Sequence, residues 1–131
     1  MSNFLIPLLI VLGSGLLIGY ERQKTHGIVG VRSVTLIMLG AFIYSYISNK
    51  IGGDPSRVVA QVVSGIGFIG AGLMIKRDSD KIANITTAIL MWCVASLGCL
   101  IGTGFIWEGL CMTIIIYLIL KYYKKIFKDG R

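Results

Sequence analysis

Apolar residues dominate the chain from residue 3 to residue 120, and short polar interruptions divide this stretch into five segments. The segments cover residues 3–20, 33–51, 57–75, 85–103 and 105–121. Each is close to the ~20 residues that a helix needs to cross the hydrocarbon core of a bilayer. The pattern therefore predicts an all-α integral membrane protein, built as a bundle of five transmembrane helices.

Basic residues collect in alternate connections between these segments. Eleven of the 13 Lys and Arg residues lie in residues 21–32, 76–83 and 121–131, whereas the opposite side holds only Lys50 and Arg57. Cytoplasmic connections of membrane proteins carry such an excess of positive charge. The distribution predicts a multi-pass protein with its N-terminus outside the cell and its C-terminus in the cytoplasm.

The same pattern predicts how the chain is divided. We expect residues 1–121 to form one transmembrane domain and residues 122–131 to form a short basic cytoplasmic tail. The tail, KYYKKIFKDGR from residue 121, combines basic and aromatic residues, which suits a segment that lies on a membrane surface. We expect no soluble C-terminal domain.

Composition narrows the function classes. The chain is 55% hydrophobic and 15% charged, whereas a soluble domain has about 25% charged residues. Topology and attraction to lipid headgroups account for the net charge of +7, so we expect the lipid bilayer as a partner and no nucleic acid. With three cysteines that form no C-x-x-C motif and one histidine, we predict no metal site and no cofactor. The absence of a nucleophile–base pair predicts that the protein is not an enzyme.

The third predicted helix carries an unusual polar face. Asp54 followed by Pro55 is a helix-start signal, and Asp54, Arg57, Gln61 and Ser64 then lie within about 80° of one another. A charge at the bilayer centre costs about 2.5–3.5 kcal/mol, which favours a polar interior, an ion route or a switchable helix interface. The alternative is a capped helix start whose Arg57 reaches outward to the interface. Both interpretations remain open.

Glycines are concentrated in two of the predicted helices. Gly15 and Gly19 form a G-x-x-x-G pair in the first helix, which lets a neighbouring backbone approach closely. The third helix carries Gly65, Gly67, Gly70 and Gly72. Its G-x-G-x-x-G letters do not indicate a dinucleotide site, because no strand precedes them and no acidic residue follows about 20 positions later. We predict that these six glycines act in helix packing or partner contact, with a locally unwound segment as the alternative.

Polar residues also mark the fourth helix and the cytoplasmic boundary. Thr86 and Cys93 are seven residues apart, so they share one side of the fourth helix. Nearly opposite them lies a seam of small residues, Asn84, Ala88, Ala95, Gly98 and Gly102. We predict that one of those faces meets the third helix or a second subunit. Glu21, Arg22 and Arg32 lie at the cytoplasmic boundary, where Glu21 pairs with Arg32 or Arg22, or all three are ordinary interfacial charges. We predict that these three residues belong to the same functional polar interior as Asp54, Arg57, Gln61 and Ser64, at its other end or in an adjoining layer.

The chain resembles the MgtC/SapB family of bacterial membrane proteins in five short motifs over about residues 13 to 102. The motifs are GLLIGYER at 15–22, GVRS at 30–33, DPSR at 54–57, GIGFIGAG at 65–72, and ITTA at 85–88 with Trp92. The resemblance implies a protein of the bacterial cytoplasmic membrane that is linked to magnesium homeostasis and, in pathogens, to virulence and survival in macrophages. It implies functional positions at Glu21, Arg22, Arg32, Asp54, Arg57, Thr86 and Cys93.

Two functions are therefore compatible with the sequence. The first is a non-enzymatic regulator that acts through membrane helix contacts, with itself as a homodimer or with a membrane complex; the resemblance suggests the F-type ATP synthase. The alternative is a small homo-oligomeric ion channel or transporter that uses the polar face of the third helix. The strong charge asymmetry argues against the antiparallel dimers of dual-topology exporters.

Overall fold

Five helices make up nearly all of the structure, a computed structural model that describes residues 2–26, 29–76 and 82–127. They are α1 (Ser2–His26), α2 (Val31–Lys50), α3 (Pro55–Leu73), α4 (Ile85–Gly102) and α5 (Ile106–Phe127). Between α3 and α4, two-residue strands β1 (Ile75–Lys76) and β2 (Ile82–Ala83) pair antiparallel. The predicted all-α bundle of five helices is confirmed, and this short pairing is the addition that the sequence pattern did not predict.

Four of the described helices are long and apolar enough to cross a membrane. They are Asn3–Lys24 within α1, and the whole of α2, α3 and α4. The prediction of a membrane protein is thereby confirmed. The helix α5 is 22 residues long, and its passage through the bilayer stays a prediction. It runs into the predicted basic tail as far as Phe127, and residues 128–131 of that tail lie outside the described residues.

The bundle is built around α4. Within the apolar stretch of each helix that is long enough to cross a membrane, 61% of the residues of α4 are buried but only 11% of those of α3. The most extensive packing joins α4 to α2, and α3 packs mainly against α4. Fully buried side chains form the core between these helices, among them Met38, Phe42, Met91, Val94 and Ile101. The helix α3 therefore lies at the edge of the bundle, with most of its surface uncovered by the rest of the chain.

The ends of the helices follow the local polar signals. Asp54 caps α3 by accepting hydrogen bonds at Oδ1 from the Ser56 amide at 3.0 Å and the Ser56 hydroxyl at 2.7 Å. Glycines with positive φ reverse the chain on the same side of the bundle: Gly52 (φ +70°) between α2 and α3, and Gly104 (φ +104°) between α4 and α5. A residue with a Cβ rarely adopts these backbone angles.

The helix α1 extends beyond the predicted boundary at Tyr20 to His26. The added residues begin with Glu21, Arg22, Gln23 and Lys24. These side chains are polar but have good helix propensity, so the helix continues after the apolar stretch ends. The additional turn places Arg22 over the start of α4.

Candidate functional site

The predicted polar residues form two groups at opposite ends of the bundle. Because successive helices are antiparallel, Glu21, Arg22 and Arg32 lie where α1 ends and α2 begins, at the end where α4 also starts. Asp54 and Arg57 lie at the other end, at the start of α3. Glu21, Arg22 and Arg32 therefore lie at the opposite end of the single chain from Asp54 and Arg57, and a polar interior shared by the two groups stays a prediction.

Arg22 is buried, with 6% of its surface exposed. Its Nη2 donates a hydrogen bond to the hydroxyl of Thr87, near the start of α4, while its Nε has no hydrogen-bond partner. The partner of Nη2 is thus a neutral hydroxyl. Burial of a charge is costly unless opposite charge and hydrogen bonds compensate it.

A polar cavity of about 230 Å³ adjoins Arg22. Among the described residues, its lining comprises Arg22, the N-cap residue Asn84 and the first residues of α4, Ile85, Thr86 and Thr87. Asn84 is in the left-handed conformation (φ 66°) and makes no side-chain hydrogen bond to cap α4. Its Nδ2 donates instead to the Leu73 carbonyl at 3.3 Å, which ties the start of α4 to the end of α3.

The start of α4 presents hydrogen-bond donors to this cavity. The first bond within the helix runs from the Ala88 amide to the Asn84 carbonyl at 3.0 Å. The amides of Ile85, Thr86 and Thr87 precede it and have no carbonyl of the helix to bind. The helix dipole adds partial positive charge at this end. These amides and the guanidinium of Arg22 are hydrogen-bond donors with positive charge, and they favour an anion at this end of α4.

Glu21 and Arg32 lie outside this cavity lining. Glu21 is half-buried, and its charge interacts with that of Lys121 in α5. Arg32 is exposed. Gln23, in the last turns of α1, accepts at Oε1 a hydrogen bond from the amide of Val31, the first residue of α2, at 3.3 Å. Of the predicted boundary charges, Arg22 is thus the one that the fold buries.

Asp54 and Arg57 form an exposed pair at the other end. Arg57 Nε lies 3.6 Å from Asp54 Oδ2, with side-chain exposures of 88% and 54%. The pKa of the Asp54 carboxyl lies below its ordinary value, because the Ser56 hydroxyl and then the Ser56 amide donate hydrogen bonds to it. Exposed ion pairs of this kind stabilise a fold very little. Within the single chain the pair serves as a helix cap with an outward arginine.

The rest of the polar face of α3 also points outward. Gln61 and Ser64 are exposed, and Phe68, one turn further on, is 85% exposed. Arg57 and Gln61 line an open groove of about 540 Å³ between α2 and α3. The polar interior predicted for this face is not enclosed by the single chain, so it stays a prediction that requires a neighbouring protein molecule.

The glycines differ in what they contact. A Cβ on Gly15 would lie 2.9 Å from the Thr35 Cα, and one on Gly19 would lie 2.7 Å from the Val31 Cα, so both support very close packing of α1 on α2. In α3, Gly67 and Gly70 face α4 at ordinary distances of 3.9 Å and 3.7 Å. A Cβ on Gly65 or Gly72 would meet no atom of the described residues within 4 Å, so any packing role for these two lies outside the single chain.

Thr86 and Cys93 occupy different surroundings. Thr86 is exposed at the cavity beside Arg22. Cys93 is half-buried and lines a groove of about 450 Å³ between α3 and α4, together with Ser96 and Cys99. No group of three or more His, Cys, Asp or Glu side chains within the described part of the chain is placed to hold a metal ion.

Sequence reasoning missed the role of Thr87. It placed Gly98 and Gly102 on the small-residue seam of the fourth helix, but it did not identify α2 as the neighbour of that seam. Thr87 lies on the buried stripe of α4 with Met91 and Val94, and that four-then-three spacing is the signal that could have found it. Gly98 and Gly102 are four residues apart, as in the G-x-x-x-G pair of α1. Their Cβ positions lie 2.3 Å and 2.6 Å from carbonyl oxygens of α2, closer than at any predicted packing glycine.

Comparison with known proteins gives one consistent family. The sequence model of the MgtC family matches residues 8–128. The chain is 42% identical to Protein MgtC of Brucella abortus over 104 residues, covering 78% of this chain and 43% of that protein. It is 39% identical to Protein MgtC of Salmonella typhimurium over 117 residues, covering 88% and 50%. The chain thus spans about half the length of these relatives. No solved structure matches it significantly.

Proposed function

Since the chain belongs to the MgtC family, we propose that it is a non-enzymatic protein of the bacterial cytoplasmic membrane that regulates processes tied to magnesium homeostasis. Its apolar helices support the membrane location. The link to magnesium, and to virulence where the host organism is a pathogen, rests on the family resemblance. The regulator acts through helix contacts and not through chemistry on a substrate.

The observation that carries this proposal is the outer face of α3. Arg57, Gln61 and Ser64 are exposed on the single chain, on a helix of the length that crosses a bilayer. Polar side chains in the hydrocarbon region are unfavourable unless they meet protein or water. The face therefore suits contact with protein. We propose a second copy of the chain as its first partner, with a larger membrane complex such as the F-type ATP synthase as a further one.

Magnesium-limited growth tests the contact face. In a strain that lacks this gene and grows poorly at low magnesium, we expect the wild type and Lys50→Ala to restore growth and Arg57→Ala to lose most of the restoration. Both variants remove one positive charge from the same end of the bundle, and both side chains are exposed. Only Arg57 lies on the α3 face. Equal restoration at matched protein levels, measured by immunoblot, would show that Arg57 is only an interfacial anchor.

The proposed orientation has its own test. On a background without Cys93, Cys99 and Cys111, we expect Ser2→Cys to react with a membrane-impermeant maleimide in intact cells with a permeable outer layer. We expect Gly130→Cys to react only after the inner membrane is opened. The reason is the placement of eleven basic residues on one side and two on the other. Labelling of Gly130→Cys in intact cells would refute the orientation, and labelling of both positions would also refute an odd number of crossings.

A channel or transporter remains the second candidate because Arg57 and Gln61 line the groove between α2 and α3. In the single chain this groove is open at the side, so a pore would form only between copies. Magnesium or monovalent-ion flux through purified protein in liposomes, lost in Arg57→Ala and retained in Lys50→Ala, would favour this candidate over the regulator.

A further inference from the structure

We propose that the cavity formed by Arg22 and the start of α4 binds a phosphate group at the membrane surface. This site is additional to the helix contacts of the proposed function, and it lies at the end of the bundle opposite the Asp54–Arg57 pair. Its ligand is a tetrahedral phosphate oxyanion, either free in solution or carried by a lipid headgroup.

The first reason is the state of Arg22. The residue is 6% exposed, Nη2 is bonded to the neutral Thr87 hydroxyl, and Nε has no hydrogen-bond partner among the described residues. A buried guanidinium is strongly unfavourable without negative charge nearby. Arg22 is also one of the residues that line the cavity, so an anion bound there would lie beside this charge and compensate it.

The second reason is independent of Arg22 and concerns α4. This helix has 18 residues, and the side chain of its N-cap residue, Asn84, makes no capping hydrogen bond. The residues whose amides precede its first internal hydrogen bond, Ile85, Thr86 and Thr87, all line the same cavity as Arg22. Uncapped amides and the positive end of the helix dipole form an anion site. A helix start and a buried arginine are thus directed at one space.

The donor set identifies the class of anion. The residues of the lining carry a planar guanidinium, the free main-chain amides of a helix start and two threonine hydroxyls, a set of donors that suits an ion with several oxygen atoms. Arginine forms paired hydrogen bonds with phosphate oxygens more readily than lysine does. The cavity volume of about 230 Å³ exceeds what a single water molecule needs. Glu21, the nearest carboxylate along the chain, does not belong to the lining.

The location is consistent with phosphate from either source. Arg22 lies near the end of the apolar span Asn3–Lys24, and α4 begins its own span at Ile85. The cavity therefore lies at the level where the spans meet the membrane interface, on the side that the basic residues assign to the cytoplasm. Lipid headgroup phosphates occupy this level, and soluble phosphate reaches it from the cytoplasm.

Calorimetric titration of the full chain with inorganic phosphate is the first arm of the test. The protein is delipidated in an uncharged detergent, with ionic strength held constant by chloride. We expect saturable binding of one phosphate per chain. Arg22→Gln should weaken it at least about tenfold, because a hydrogen bond to a charged group is lost. Lys24→Gln, an exposed residue two positions away, should change the affinity less than about twofold.

A second variant protects the test against misfolding of Arg22→Gln. Thr86 is exposed and lines the cavity, so Thr86→Val leaves the core intact. We expect it to weaken binding at least about fivefold. Unchanged affinity in Thr86→Val would overturn the proposed site, whatever the fate of Arg22→Gln. An equal loss in Lys24→Gln would overturn it as well, because non-specific attraction would then explain the binding.

The second arm distinguishes the two sources of phosphate. Native mass spectrometry after addition of phosphatidylglycerol reports retained lipid in the wild type and the three variants. Lipid retention that follows the same order of variants, without binding of inorganic phosphate, assigns the site to a headgroup. Binding of inorganic phosphate assigns it to a soluble ligand. Absence of both in the folded wild type overturns the proposal.

Discussion

Replacing Gly98 by alanine should lower the stability of the bundle by about 1–3 kcal/mol, the usual cost of overpacking a well-packed core. A Cβ at this position would lie 2.3 Å from the carbonyl oxygen of Met38, 2.9 Å from the Cβ of Ala41 and 3.0 Å from the amide nitrogen of Phe42. Two of these three atoms belong to the main chain of α2, and the third is fixed to it. No side-chain rotation relieves the clash, so α2 and α4 must separate.

Separation of these helices is costly because they form the main interface of the bundle. In a membrane, apolar burial does not drive helices together, and close packing is the principal attraction. A shift of α4 would disturb the buried contacts around Met38 and Phe42 at the same time. The effect of Gly98→Ala should therefore exceed that of any alanine substitution on the outer surface of α1 or α3.

Thermal unfolding in detergent measures the effect, with Gly13→Ala as the matched control. Both glycines lie inside helices, but a Cβ at Gly13 would have nothing within 4 Å. Gly13→Ala should be neutral or slightly stabilising, because alanine favours the helix. The distances rank two further variants: Gly19→Leu should cost more than Gly70→Leu, since their Cβ positions are 2.7 Å and 3.7 Å from the nearest atoms. Wild-type-like melting of Gly98→Ala would contradict the close approach of α2 and α4.

Thr87→Val should cost about 1.5–3 kcal/mol, the range for a hydrogen bond to a charged group. Valine has nearly the shape of threonine, so packing is preserved while the acceptor for Arg22 Nη2 disappears. The guanidinium would then be buried with neither Nη2 nor Nε bonded to the described side chains. Thr86→Val changes the same atoms one residue earlier at an exposed position and should stay within about 0.5 kcal/mol of the wild type.

A double variant separates this hydrogen bond from general disturbance of α4. Thr87→Val should destabilise the bundle because it leaves the guanidinium of Arg22 buried without its hydrogen-bond acceptor. In that case Arg22→Met combined with Thr87→Val should recover part of the lost stability, because the buried charge is removed together with its partner. The measurement is unfolding in phosphate-free buffer, so that no bound anion compensates. A double variant as unstable as the sum of the single variants would show that the two residues act independently.

The helices could be predicted because their signals are local. Asp54 and Pro55 mark the start of α3 in sequence, and the structure has Asp54 bonded to Ser56 at that point. The ends were less accurate: α1 continues to His26 because polar residues with good helix propensity extend it. A run of apolar residues indicates where a helix crosses a bilayer, but not where its hydrogen-bonded backbone stops.

The contacts could not be predicted in the same way. Spacing placed Arg57, Gln61 and Ser64 on one face of α3, yet it could not show that this face is exposed on the single chain. Likewise, α3 has more glycines than α4, but the closest backbone approaches occur at Gly98 and Gly102. Helical periodicity relates residues within one helix and contains no information about the neighbour that each face meets.

The length of the apolar segments and a repeat of 3.6 residues were enough to establish an all-α membrane protein, the approximate bounds of its helices and the residues that share a helix face. The packing of the helices was needed to establish that α4 is central and α3 peripheral, and that Arg22 binds Thr87 across the bundle. Residues 22 and 87 are far apart along the chain, and their contact exists only after several helices have packed and brought the end of α1 over the start of α4.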